Sequence, residues 1–130
     1  MNILASLTGT VQRGQARGKG IGFPTLNIQL PQNSELSEGV YVSRTNIENS
    51  WYPSMSNIGG SKTFEDEDAL RVETHIFGFS EMVYGMKIHV EILEKIRDNK
   101  KFESLDDLAS QLDKDKKYTE EFFRINKDVL

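Results

Sequence analysis

The sequence predicts a mainly β domain, an antiparallel barrel with a helical segment at its C-terminal end. Three observations carry this reading. About six β-like runs follow one another with no helical pattern between them, which excludes a Rossmann arrangement and favours an antiparallel barrel. Short polar links join several of these runs as hairpins. Apolar spacing of helical period appears only after Ser104. The 130 residues read as one domain, about 1–103 forming the barrel and 104–130 the helical segment, and this length supports a core.

Composition narrows the chemistry. With 37% hydrophobic and 28% charged residues the chain reads as soluble and globular. It has no Cys, which excludes disulfides and thiolate sites, and its two His make a poor basis for zinc. The start MNILASLTGT lacks the basic and apolar regions of a signal peptide, and no run reaches transmembrane length. A cytoplasmic protein without a membrane partner is the expectation.

The first element is a β-like start that enters GTVQRGQARGKGIGFPTLNI, Gly9 to Ile28. Five glycines, Gly9, Gly14, Gly18, Gly20 and Gly22, surround Arg13, Arg17 and Lys19. Glycine serves where φ is positive or where backbone N–H groups approach a ligand closely. No Asp or Glu precedes Glu35, whereas the rest of the chain holds 13 basic and 20 acidic residues, for a net charge of -4. A cationic glycine-rich loop on an acidic body suits a small anion such as phosphate. It is not a Walker A loop, because Gly20 follows Lys19 where Ser or Thr is needed, and no helix follows. Pro24 disfavours α conformation at Phe23, and Leu26, Ile28 and Leu30 alternate with Asn27 and Gln29 as in a strand. Period two puts the Thr25 hydroxyl and the Asn27 amide on one face. Both are hard oxygen donors of the kind that suit Mg²⁺ or another divalent cation retaining waters and substrate phosphates. The same residues also fit a turn-rich surface loop with two ordinary strand polars.

LPQNSELSE, Leu30 to Glu38, reads as a loop. Strands are expected over Gly39 to Ile47 and Trp51 to Ile58, linked as a hairpin by Glu48-Asn49-Ser50. Tyr41, Trp51 and Tyr52 read as strand and core aromatics. Acidic Glu65 to Asp68 is solvated, and Arg71 to Phe77 reads as a strand carrying Glu73 and His75. A Glu on a strand is ordinarily an exposed member of a cross-strand ion pair. From Gly85 to Leu93, Met86, Ile88, Val90 and Ile92 alternate with Lys87, His89 and Glu91, so one face is buried and His89 lies on the other. Ile96 to Leu105 is a charged loop anchored by Phe102. Ser104 with Asp107 resembles a capping box, followed by an apolar stripe of Leu105, Leu108, Ala109 and Leu112. A break is expected around Asp113 to Lys117, after which Tyr118, Phe122 and Phe123 return to the body.

Taken together these motifs resemble the riboflavin kinase (flavokinase) family, including the kinase module of bacterial bifunctional FAD synthetases. The run from Gly9 to Ile28 matches that family's glycine-rich flap closing on Pro-Thr-Ala-Asn, with Leu26 in place of Ala. Gly39-Val40-Tyr41, Asn57-Ile58-Gly59, the Val72-Glu73-x-His75-Ile76 run and Tyr84-Gly85 match further segments, as does Arg97 with Lys100-x-Phe102-x-Ser104-Leu105. Two departures stand out: Lys62 where Pro is expected, which frees φ and restores an N–H, and Ser54 where glycine is common. The resemblance implies a six-stranded Greek-key barrel and the activity of an ATP:riboflavin 5′-phosphotransferase. It implies that Gly14, Gly18, Lys19, Thr25, Asn27 and Tyr84 bind ATP, with Thr25 and Asn27 also placing Mg²⁺. It implies Glu73 as general base, since phosphoryl transfer to an alcohol needs a carboxylate to orient the hydroxyl and take its proton. Arg97, Lys100 and Phe102 would contact the flavin nucleotide.

Two other classes fit the same residues. A flavin-binding sensor without turnover is suggested by Lys62 and by the lack of an adenylyltransferase segment in these 130 residues, which could also be one module of a longer chain. A small-barrel RNA-binding module would use Arg13, Arg17 and Lys19 on phosphates and Tyr41, Trp51 or Phe102 on bases, although the sequence pI of about 5.2 counts against nucleic acid.

Overall fold

A computed structural model of the chain describes residues 2–12, 25–26, 36–60, 70–78 and 85–130. Antiparallel pairing organises it. The strands are β1 (Ala5–Gln12), β2 (Thr25–Leu26), β3 (Gly39–Ile47), β4 (Ser50–Gly60), β5 (Leu70–Ile76) and β6 (Lys87–Arg97). Helix α1 (Leu105–Ile125) and a short 3₁₀ turn at Lys127–Val129 follow. The sheet order is β2-β1-β6-β3-β4-β5, so the last strand in sequence lies between the first and third. Its edges are both occupied: Leu7 and Thr45 flank Val90, and Ala5 and Ser43 flank Ile92.

The architecture is mainly β with a C-terminal helix, as the sequence implies. Six comparable strands are not what forms: five long antiparallel strands make a curled half-barrel, and β2 contributes two paired residues, Leu26 opposite Val11 and Thr25 opposite Gln12. Periodicity reports which face of a run is apolar; it does not report how many residues find a partner.

The β3–β4 link is also tighter than expected. Ser50 pairs with Ile47, leaving only Glu48 and Asn49 in the turn, at φ of 50° and 68°. Two positive φ values define the turn whose twist matches a hairpin. The Asn49 N–H donates to Asn46 Oδ1 at 3.2 Å.

Alternation sends one set of side chains to the inside of the curl: Leu7, Tyr41, Ile47, Ile58, Val72, Ile76, Ile88, Val90 and Ile92. Amid this apolar lining runs a ladder of buried hydroxyls. Ser43 Oγ bonds Ser54 Oγ (2.7 Å) and Ser56 Oγ (2.8 Å), Thr45 bonds Ser54 (2.9 Å), and Ser56 bonds Thr74 (2.9 Å). A hydroxyl both donates and accepts, so neighbours satisfy one another without a charge.

The outer face holds a second cluster, Val42, Leu93 and Val129, against which Ile96, Phe122 and Phe123 pack. Two register shifts in the β3–β6 ladder explain it. Ser43 faces Ile92 while Val42 faces Glu94, and Tyr41 faces Lys95 while Val40 faces Arg97. The skipped residues, Leu93 and Ile96, are two that meet the helix; a bulge re-aims a side chain in this way.

Helix α1 starts as expected, with Ser104 Oγ accepting from the Asp107 N–H at 3.1 Å. Asp106 and Asp107 in its first turn and Arg124 in its last suit the helix dipole. It is unbroken, contrary to the expected interruption at Asp113 to Lys117. That stretch contains neither Gly nor Pro, and Lys117 pairs with Asp113 one turn away at 2.9 Å. The buried face also differs from the expected stripe: Leu105 is 83% exposed and Ala109 is exposed, while Asp115 and Thr119 are fully covered. Phe122 and Phe123 pack as expected, whereas Tyr118 stays largely exposed and donates its hydroxyl to Glu94 Oε2 at 2.7 Å.

The hydroxyl ladder yields a stability test. Ser54→Ala removes a partner from both Ser43 and Thr45 in a region with no exposure. We expect a loss of about 1–3 kcal/mol, read from urea unfolding midpoints; an unchanged midpoint would show that the ladder contributes nothing net.

Candidate active site

Alternation puts Glu73 on the outer face of β5, exposed, because Val72 and Thr74 on either side point into the curl. Its cross-strand partner on β4 is Asn57, also exposed. The next residue, Ile58, offers its carbonyl to Asn99 Nδ2 at 2.9 Å. Asn99 lies in the connection from β6 to α1, so this bond fastens that connection to the strand beside Glu73. Lys100 and Phe102 belong to the same connection.

The expected charged loop begins later than the sequence implies, because β6 continues through Arg97. The strand end is held close to β3 at Gly39. A Cβ at that position would stand 2.6 Å from the Arg97 carbonyl oxygen and 2.8 Å from Lys95 Cε, and the residue adopts a φ of +157°. The Gly39-Val40-Tyr41 motif therefore has a steric reason, the close approach of the two backbones.

Arg97, Lys100 and Phe102 come together as a corner. The Arg97 guanidinium carbon lies 5.8 Å from the Phe102 ring centroid and Lys100 Nζ lies 5.6 Å from it, within cation–π range. Arg97 Nε donates to both Asp115 oxygens at 3.0 and 3.1 Å, Nη2 donates to Oδ2 at 2.8 Å, and Nη1 donates to the Asp98 carbonyl at 3.1 Å. Lys100 Nζ donates to Gln111 Oε1 at 2.6 Å, and Gln111 Nε2 donates to Asp115 Oδ1 at 2.9 Å. Sequence reasoning, which expects a break around Asp113 to Lys117, assigns no role to Asp115 or Gln111. The available signal was the i, i+4 spacing of Gln111, Asp115 and Thr119, which places three hydrogen-bonding side chains on one helix face.

Of the remaining candidates, Thr25 belongs to β2, whose backbone packs against β5, the strand of Glu73. Gly14, Gly18, Lys19, Asn27, Tyr84 and the loop bearing Lys62 lie outside the described residues. Ser54, where glycine is common in the family, is a member of the hydroxyl ladder.

His75, two residues beyond Glu73 on the same face, meets Phe77 edge-on at 4.8 Å, and Lys116 Nζ lies 6.0 Å from the Phe77 centroid. Burial, with the nearby Lys116 charge, lowers its pKa from 6.5 to about 4, so the ring is neutral at pH 7. His89 occupies a separate outer cluster: its Nδ1 pairs with Thr8 Oγ1 at 2.8 Å, beside Trp51, and Arg44 stacks on Trp51 at 4.1 Å while bonding Glu91. Tyr41 is buried, with its hydroxyl donating to the Ser37 carbonyl at 2.6 Å. Of the aromatics that nucleic-acid stacking would need, Tyr41 is thus buried and Trp51 is already covered by Arg44.

Arg97, Lys100 and Phe102 thus form a cationic aromatic corner, and the connection that carries two of them is bonded to the strand paired with that of the exposed Glu73. The flavokinase family model, riboflavin kinase, matches residues 2–123, and the chain belongs to the riboflavin kinase family. It is 43% identical over 118 residues to the trifunctional protein RibF/MnmA of Mycoplasmoides gallisepticum, covering 90% of this chain and 18% of that protein. Among solved structures, one titled a macrolide-efflux protein from Streptococcus pneumoniae matches with TM-score 0.77 and 39% identity over 88% of this chain and 38% of that one. The riboflavin kinase of Trypanosoma brucei shares the fold, with TM-score 0.63 and 24% identity over 92% and 79% of the two chains. The chain thus spans well under half the length of the first two.

The lowered His75 pKa sets a direction for stability. As pH falls through 6.5 the unfolded chain takes up a proton on His75 that the folded protein accepts only near pH 4. Stability should therefore rise with pH between about 4 and 6.5 and be lost toward the acid end. Melting temperatures of wild type and His75→Gln across that window check this: the variant should show the shallower dependence.

Proposed function

We propose that this chain transfers the γ-phosphate of ATP to the 5′-hydroxyl of riboflavin, giving FMN and ADP. The observation that carries the reading is the gathering of Arg97, Lys100 and Phe102 into one corner, with Asn99 of the same connection bonded to the Ile58 carbonyl next to Asn57, the cross-strand partner of Glu73, in a chain of the riboflavin kinase family. Phe102 offers an aromatic face to the isoalloxazine ring, and Arg97 and Lys100 meet its polar edge or the new phosphate. Glu73 orients the ribityl hydroxyl and takes its proton as the oxygen–phosphorus bond forms and the bond to the departing ADP oxygen breaks.

Backbone groups at Gly14 and Gly18, with Lys19, would cradle the ATP phosphates, and Tyr84 would lie beside the nucleotide. The hydroxyl of Thr25 and the amide oxygen of Asn27 are hard donors whose chemistry fits Mg²⁺, and these two residues would hold it. Bound there, the metal would neutralise charge developing on the transferred phosphoryl group. β2, which carries Thr25, lies close to β5, the strand of Glu73, and this supports a shared site for metal and base. We also place the reaction in the cytoplasm.

Incubation with riboflavin, ATP and Mg²⁺, followed by chromatographic separation of the flavins, should give FMN in step with ADP and only with metal. Glu73→Gln should lower kcat by about 10²–10⁴-fold while flavin binding is retained; full activity in that variant would remove Glu73 from the mechanism. Bound but unaltered riboflavin would identify a sensor instead.

A further inference from the structure

We infer that Asp115 and Gln111 of α1 are positioning residues that fix Arg97 and Lys100 in the orientation needed to receive the flavin nucleotide. This rests on the flavin reading of the Arg97–Phe102 corner. Neither residue belongs to the connection that carries Lys100 and Phe102, and neither needs to touch the ligand.

The donor and acceptor inventory makes the arrangement directional. Asp115, 1% exposed, only accepts, and both its oxygens are engaged by Arg97. Gln111 must therefore turn its NH₂ toward Asp115, which leaves Oε1 facing outward as the acceptor for Lys100. One buried carboxylate thus sets two cations, the first directly and the second through an amide whose orientation it dictates. Arg97 has five N–H donors. Its bonds to Asp115 and Asp98 occupy three, and the remaining two, one on each Nη, are left to a ligand. Both cations lie near the Phe102 ring before any ligand arrives, so little of the binding free energy is spent on ordering them.

A purely structural pair would tie β6 to α1 and do nothing else. The Gln111 limb separates the two possibilities: Lys100 is exposed and its contact with Gln111 fastens no core element. Gln111→Leu should leave the melting temperature near that of wild type and raise the riboflavin Kd and KM about tenfold, as expected when a hydrogen bond to a charged group is lost. Asp115→Asn should raise them by about 10–100-fold and also lower the melting temperature, with KM for ATP unchanged in both variants. Because the two side chains act as one unit, the double variant should lose less than the product of the single effects.

Riboflavin binding, followed by quenching of its fluorescence, and steady-state kinetics are measured on the whole 130-residue chain. Unaltered riboflavin Kd and KM in both variants, with only the Asp115→Asn melting temperature reduced, would overturn the inference and leave the kinase reading intact. Wild-type binding without turnover would sink the kinase reading, and the Kd series alone would then decide the positioning role. No wild-type binding of riboflavin would overturn both.

Discussion

The joint between sheet and helix is centred on a buried polar contact, the Arg97 guanidinium on the Asp115 carboxylate, beside the apolar cluster of Leu93, Ile96, Phe122 and Phe123. Arg97 ends the strand that β1 and β3 share, and Asp115 lies in the middle of the 21-residue helix. Removing either partner of such a buried pair leaves an uncompensated charge, at about 3–5 kcal/mol, whereas replacing both by apolar groups is often neutral. The pair is thus a weak argument for stability and a strong one for geometry. It fixes where the helix lies along the outer face, and with it where Gln111 and Lys100 stand.

A sheet covered on both faces must divide its residues between two cores, and β6 shows how this is done. Strict alternation from Ile88 to Ile92 feeds the inside of the curl. The skipped residues Leu93 and Ile96 then turn toward Phe122, Phe123 and Val129. Without the first bulge, strict alternation would turn Ile96 to the inside of the curl and leave the outer cluster without it. The inner face has its own solution to a mixed composition. Ser43, Thr45, Ser54, Ser56 and Thr74 bury hydroxyls in a region where single polar groups would be costly, and they do so by bonding to one another across three strands.

Legibility in the sequence followed the range of the interaction. Strands β3, β4 and β5 were readable because period-two alternation is local, and the Ser104 cap because its hydrogen bond spans three residues. The association of Arg97, Lys100 and Phe102 was readable because they are neighbours in the chain. Long-range pairing was not. The extension of β6 to Arg97 depends on β3 backbone 57 residues earlier, at Val40. The burial of Asp115 within the expected break at Asp113 to Lys117 depends on its finding Arg97. Leu105 was assigned to the apolar stripe by spacing alone, yet it stands at the first helical position, beyond the reach of the sheet. Ser54 looked like a departure from a glycine and is a junction in a network no single strand reveals.

The charge pattern acquires a spatial meaning in this arrangement. The chain is net acidic, yet the corner offers two cations to one buried anion: the other acidic side chains nearby are exposed, and two of them are engaged elsewhere, Asp98 with Lys95 at 2.5 Å and Glu94 with the Tyr118 hydroxyl. Coulombic attraction between exposed charges is screened within about 10 Å at ordinary ionic strength, so the local pair count at the corner, rather than net charge, governs what docks there. In the proposed reaction this matters twice. The uncharged flavin takes the Phe102 face and hydrogen bonds from the two cations to its polar edge, whereas the phosphorylated product gains charge attraction besides. The same corner would therefore hold product more tightly than substrate, which makes release of the flavin nucleotide, rather than phosphoryl transfer at Glu73, the step most sensitive to the Asp115–Gln111 support.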